Sequence, residues 1–318
     1  STSPVTVTGL TAGTAYTFTV AVATGAGASP ASSSSNSVTP SIPNRGLFAG
    51  GSGSNVIDFN NFNSSTFSDF GDLGQSGTAS SGCGSETRCV FTGFQSARTQ
   101  MQYVNPTSTG NSSSFGGISS HIYSTGCSNS TRGLFAGGSN FSSVLQHIKY
   151  ITIASTGSAS TFGDLTQARQ GLGSLANTTR AVFAGGSTLT SGSGIVNTID
   201  YVTISSTGNA TDFGDTTLAR SFVPAGAASS TRGLYGGGVN SGFSTINNIE
   251  YITIASTGNG TDFGDLNYAP ENLAGCSNTT YALWGGGSAS GIVATTNIKL
   301  IASTGNAAGW GSLTAART

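Results

Sequence analysis

Charge is scarce in this sequence: only 7% of its 318 residues are Asp, Glu, Lys or Arg, and the formal net charge is −1. Without a basic field, nothing marks the chain for nucleic acid or an anionic membrane. Histidine occurs twice and cysteine four times, so few metal or redox constellations can be built, and no cysteine pair has the CxxC spacing of zinc or redox sites. No stretch approaches the twenty or so apolar residues that span a bilayer. The first residues carry no basic and apolar leader. The chain reads as beginning inside a domain, so this says nothing about export.

Glycine, by contrast, numbers 48, among abundant Ser, Thr and Asn, as in turn-dense all-β proteins. One block recurs: RGLFAGG from Arg45, RCVFTGF from Arg88, RGLFAGG from Arg132, RAVFAGG from Arg180, RGLYGGG from Arg232 and YALWGGG from Tyr281. Its starts lie 43, 44, 48, 52 and 49 residues apart. A period near 45 fits a four-stranded propeller blade, and the apolar residues lack the three-and-four spacing of helical repeats. Each apolar run ending in paired glycines predicts a second strand. NTIDYVTI from Asn197 and NNIEYITI from Asn247 alternate as a third strand does. A turn such as STGNATDFGD then leads to a short fourth strand carrying Phe213.

These residues resemble the kelch family, whose repeat places a diglycine at the end of its second strand, a tyrosine in the third, a tryptophan in the fourth and an arginine shortly after. Gly185, Gly186, Tyr201, Phe213 and Arg220 match that order, as do Gly237, Gly238, Tyr251 and Phe263, and Gly137 and Gly138 repeat the diglycine. Phe replaces Trp except at Trp310, Pro270 replaces the trailing Arg, and Phe94 replaces a second glycine. The wording STGNATDFGDL followed by an AR step is similar to repeat proteins of marine bacteriophages, cyanophages especially. Over residues 1–40, VTVTGLTAGTAYTFTVAVAT and SNSVTP resemble the last three strands of a fibronectin type III domain, with Leu10 and Tyr16 in its leucine and tyrosine-corner positions. The expected fold is therefore an all-β, six-bladed kelch-like propeller over 41–318 behind a partial fibronectin type III sandwich over 1–40.

Most charges fall in repeat register. Arg45, Arg88, Arg132, Arg180 and Arg232 open second strands, while Asp72, Asp164, Asp215 and Asp265 close fourth strands, which predicts bidentate cross-links between blades. DFG at Asp69, Asp212 and Asp262 recurs with the repeat, and no kinase-like lysine strand or HRD loop accompanies it. Cys83, Cys127 and Cys276 stand where other copies have Leu175 and Ala227, as small core residues. A Cys83–Cys89 disulfide across a hairpin is the alternative. Asn209, Asp212 and Asp215 either bond their own turn or offer oxygens to calcium. His121 and His147 fall at different blade positions, and no catalytic residue, metal or cofactor is assigned.

Loops after the diglycines, Ser139 to Gln146, Ser187 to Val196, Val239 to Ile246 and Ser288 to Thr295, vary most and share one face. Phe141, Leu189, Asn240, Phe243 and Ile292 are the ligand-contact candidates there. The expected function is a non-catalytic virion structural and adhesion protein, in a tail fibre, baseplate appendage or head decoration, presenting the propeller to a host surface or glycan. Its partners would be other virion or surface proteins, copies of itself included, at the virion surface or outside the cell. The alternative is a bacterial secreted or cell-surface adhesin of the same build, with a carbohydrate-active kelch enzyme third. Inner strands are countable only five times. Pro40 and Pro43 suit a linker better than a sixth, so the donor is expected beyond Thr318, and the first blade, over 45–73, is expected to be three-stranded or completed by another segment.

Overall fold

A computed structural model describes residues 7, 10, 14–39, 44–77, 81–94, 98–119, 121–222 and 226–318. Pro40, Pro43 and parts of two predicted inner strands, 78–80 and 223–225, lie outside the described residues. The chain forms two compact units, Ser1–Asn44 and Arg45–Thr318. Among the described residues, all of the regular structure is strand.

In the first unit, residues 16–24 run antiparallel to 27–38, from Ala23–Thr24 against Gly27–Ala28 out to the Tyr16–Val38 bridge. Serine hydroxyls lace the pair: Phe18, Val20 and Val22 donate their N–H groups to Ser35, Ser32 and Ser29 Oγ at 3.0 Å. Leu10 and Tyr16 are half-buried. No second sheet packs on this ribbon among the described residues, and Val20 and Val22 are exposed.

The second unit is a six-bladed β-propeller with, among the described residues, five four-stranded blades and one three-stranded blade; numbered in chain order, blades 1 to 6 span 46–72, 81–117, 125–164, 173–215, 227–265 and 274–312. Blade 4 shows the pattern. Gly173–Ala176 is innermost, followed outward by Arg180–Ala184, Thr198–Thr203 and Thr211–Asp215, all antiparallel. Neighbouring blades cover both faces, so Ala181, Val182, Phe183 and Ala184 are consecutively buried, whichever way each side chain points. Blade 1 consists of Gly46–Ala49, Val56–Asn60 and Ser68–Asp72. It is three-stranded among the described residues.

Repeat residues act mainly between strands and blades. Tyr201 and Phe213 meet edge to face at 5.8 Å, and Tyr251 and Phe263 do the same. The register slips between Ile199 and Asp200, leaving Phe213 as the extra residue of a β-bulge. Arg180 stacks its guanidinium over Tyr201, and Nη1 donates to the Ile254 carbonyl of blade 5 at 3.0 Å. Arg45, Arg88, Arg132 and Arg232 likewise stack on an aromatic ring and donate to a distant carbonyl. These arginines cross-link blades through main-chain oxygens, where bidentate pairing with the strand-closing aspartates was expected. A stacked, half-buried guanidinium needs one good acceptor, and the end of the neighbouring third strand offers a carbonyl there.

Those aspartates use their backbone instead. Asp164, Asp215 and Asp265 donate their N–H groups to Asn209, Asn259 and Asn306 Oδ1 of the following blade at 3.0–3.1 Å. Asn209 thus caps a neighbour, a third outcome beside the self-bonded turn and the calcium ligand. All four cysteines are free thiols. Cys83 stands opposite Val90 while Cys89 stands opposite Gly84, so the hairpin does not face them toward each other.

Candidate functional site on the diglycine face

The diglycine is a backbone device. Gly185 and Gly186 have φ of +64° and +103°, which an L side chain rarely tolerates. Gly186 N–H donates to the Arg220 carbonyl of the outgoing linker at 2.7 Å, and Gly138, Gly238 and Gly287 bond Arg169, Pro270 and Arg317 in the same way. The chain is thereby turned out of the blade into a variable loop. That loop pairs with the incoming linker through bridges such as Gln170–Ser187, Ile122–Ser139 and Glu271–Ser288. Loops and linkers therefore build one surface.

Beneath it, among the described residues, lie three buried ion pairs that sequence reading missed as pairs. Arg169 donates to Asp200 Oδ2 at 2.6 Å, and its other arm reaches the carbonyls of Gly185 and Thr198 at 2.8 and 2.7 Å. Arg220 pairs with Glu250, and Arg317 with Asp58. Each carboxylate also accepts an N–H and a hydroxyl from one threonine: Thr166, Thr217 or Thr314. Burial pulls the Arg169 and Arg220 guanidinium groups below their ordinary pKa, and the partner carboxylate opposes that shift. In blade 6, where Pro270 replaces the arginine, Tyr268 Oη donates toward the Gly286 and Thr295 carbonyls. Asn297 stands at the position of the acid there, and its Oδ1 accepts the Asn267 N–H. The signal was present in the sequence: arginine in a linker coincides with an acid in the next third strand.

Four ligand-contact candidates sit at exposed loop positions: Phe141 at 51% exposure, Leu189 at 52%, Phe243 at 59% and Ile292 at 52%. Phe141 and Phe243 adopt φ of +73° and +60°, strained for bulky residues. Asn140 Oδ1 holds the first turn by accepting the N–H groups of Ser142 and Ser143. Arg98 lies 4.0 Å over the Phe141 ring. Asn240, proposed as a ligand contact, plays the Asn140 role: its Oδ1 accepts the N–H groups of Gly242 and Ser244. Its amide oxygen is therefore turned inward to the loop.

Two aromatic residues of the same surface escaped the sequence reading. Tyr123 and Phe222 lie in linkers two repeats apart, with φ of +54° and +51°, and their rings meet edge to face at 6.2 Å. Gly171 and Asn272, which tolerate positive φ, stand in two further linkers at +65° and +54°. An aromatic residue in such a position was the available clue. His121 is buried, and its Nδ1 bonds the Ser119 carbonyl at 2.7 Å. His147 instead pairs with Asp164 at 2.8 Å on an exposed strand. Among the described residues, no group of three or more His, Cys, Asp or Glu converges.

No family model matches this chain, and no curated protein matches it. Fold and site together define a six-bladed β-propeller carrying an aromatic-studded loop face.

Proposed function

We propose that this propeller is a non-catalytic adhesive scaffold, kelch-like in its repeat, which presents its diglycine-side loops to flat apolar faces such as those of sugar rings. One observation carries the reading: Phe141 and Phe243 are exposed at tight turns whose backbones are strained and pinned by hydrogen bonds. Strain of this kind is retained where a preorganised contact is useful. The buried carboxylates are consumed by arginine and threonine donors, which suits a rigid support. The phage-like repeat wording favours a virion appendage contacting a host surface, with bacterial surface adhesion by the same loops as the second reading.

Glycan-array and host-cell retention measurements test this. The wild-type protein should retain a surface glycan, and Phe141→Ala with Phe243→Ala should lower retention about tenfold or more, as loss of aromatic stacking does. Undiminished retention by the double variant, or turnover of the bound sugar, would refute the reading.

A further inference from the structure

The junction of blades 2 and 3 departs from the repeat. His121 precedes Ile122, which bridges to Ser139, as Arg169 precedes Gln170, which bridges to Ser187. Lys149 stands opposite Phe135 and Thr161, as Asp200 stands opposite Phe183 and Asp212. Where Arg169 and Asp200 fasten the incoming linker to blade 4, blade 3 therefore has a histidine and a lysine. The anion of the repeat is replaced by a cation.

His121 is 1% exposed. Its Nδ1 donates to the Ser119 carbonyl at 2.7 Å, and Nε2 is buried with no hydrogen-bond partner among the described residues. Lys149 donates to Thr161 Oγ1 at 3.0 Å, and His147 on the same strand pairs with Asp164 at 2.8 Å. On the side of blade 2, the strands Gln100–Val104 and Ser113–Gly117 carry no charged residue. Asp164, the carboxylate of this group, is thus already taken. Burial lowers the pKa of His121 below 6.5, the Ser119 bond opposes this, and Lys149 and His147 lower it further. An opened linker, where water solvates the ring, takes up the proton more readily than the closed one, so acid favours opening.

The same linker holds the loop face. Ile122 and Ser139 exchange backbone bonds at 3.0 and 2.8 Å, and Ser139 Oγ accepts the Phe141 N–H at 3.0 Å. Next to Ile122, Tyr123 meets the Phe222 ring and accepts the Gly171 N–H through its carbonyl at 2.9 Å. We infer that this junction is an acid-sensitive latch: on acidification His121 takes up a proton that no carboxylate receives, the linker 121–124 parts from Ser139, and the Phe141 turn is released. The consequence for adhesion rests on the loop-face reading, whereas the latch itself does not.

The test is amide hydrogen exchange of the whole chain at about pH 7.5 and about pH 5, corrected for the intrinsic effect of pH on exchange. The Ile122 and Ser139 amides should lose protection about tenfold in acid, while Gln170 and Ser187, beside the Arg169–Asp200 pair, keep theirs. His121→Gln cannot take up the proton and should hold protection at both pH values. Lys149→Asp places a carboxylate beside the ring and should do the same with His121 intact. Aspartate is the choice because blade 5, which uses Glu250, needs Gly260, where a Cβ would lie 2.6 Å from Glu250 Oε2. Unchanged protection at Ile122 and Ser139, equal loss at Gln170 and Ser187, or a loss that persists in both variants would overturn the latch. Where the loops retain a glycan, wild type should release it in acid and His121→Gln should not. Absence of retention at every pH counts against the loop-face reading and leaves the exchange result standing.

Discussion

Arg317 reaches back 259 positions to Asp58, and through this buried pair blade 6 grips blade 1. Within the ring, Arg169–Asp200 and Arg220–Glu250 make the same contact between consecutive blades, so the seam is closed by the ordinary repeat interaction. Replacing Arg317 with Met strands a carboxylate that water cannot reach, which costs about 3–5 kcal/mol. Blade 6 supplies the rescue, because its Asn297 accepts a linker N–H with no arginine present. Urea denaturation should therefore show Arg317→Met strongly destabilised and Arg317→Met with Asp58→Asn recovering at least half of the loss. Equal stability of the single and double variants would disprove the seam's dependence on charge pairing.

Gly264 has φ of +141°, and a Cβ there would lie 2.4 Å from the carbonyl carbon and oxygen of Gly305 in the next blade. The turn after each third strand is thus pressed against the bulged outer strand of the blade before it. Gly264→Ala adds overpacking to backbone strain and should lower stability by about 3 kcal/mol. Gly258, with open space around its Cβ position, is an informative control: it also has positive φ, and Gly258→Ala should cost about 1 kcal/mol. Thermal denaturation of both variants separates contact from strain.

Buried ionisable groups give the stability curve two limbs. Burial pushes the Cys127 thiol from 9.0 up to about 12. The unfolded chain therefore loses that proton first, and stability falls as pH rises from about 9 through about 12. Burial lowers the pKa of His121 below 6.5, against the opposing bond to the Ser119 carbonyl. The unfolded chain then takes up the proton more readily, so stability falls as pH drops below about 6.5. Urea midpoints across pH should flatten on the alkaline side in Cys127→Ala and on the acid side in His121→Gln. Unchanged slopes would show that other groups govern both limbs.

Repeat spacing, apolar runs and diglycines made the blades legible, because local sequence decides strand, turn and register once per repeat. The diglycines sit at the predicted loop bases, and Tyr201 and Phe213 lie in the predicted third and fourth strands. What escaped was tertiary. Arg180 and Asp215 share a repeat, yet each finds its partner in an adjacent blade through a backbone atom, which residue types alone do not announce. Arg169 and Asp200 lie 31 residues apart and became visible as a pair only when the linker folded over the next blade. Tyr123 and Phe222 were hidden because their meeting depends on a left-handed linker that glycine and asparagine mark elsewhere.

Phe243 links stability to the loop surface. Its ring is exposed, so truncation removes little packing, while its φ of +60° disfavours a bulky residue. Glycine accepts that backbone without strain, and Asn240 continues to hold the turn through Gly242 and Ser244. Phe243→Gly should therefore leave thermal stability unchanged or raise it by up to about 1 kcal/mol, net of the entropy glycine adds to the unfolded chain. If the loop face serves adhesion, the same variant should lose retention on the surface that wild type binds, separating function from fold. Calorimetry beside a retention assay makes the comparison. A clear loss of stability would mean that the Phe243 ring supports the loop, and the strain would then need another explanation than contact with a ligand.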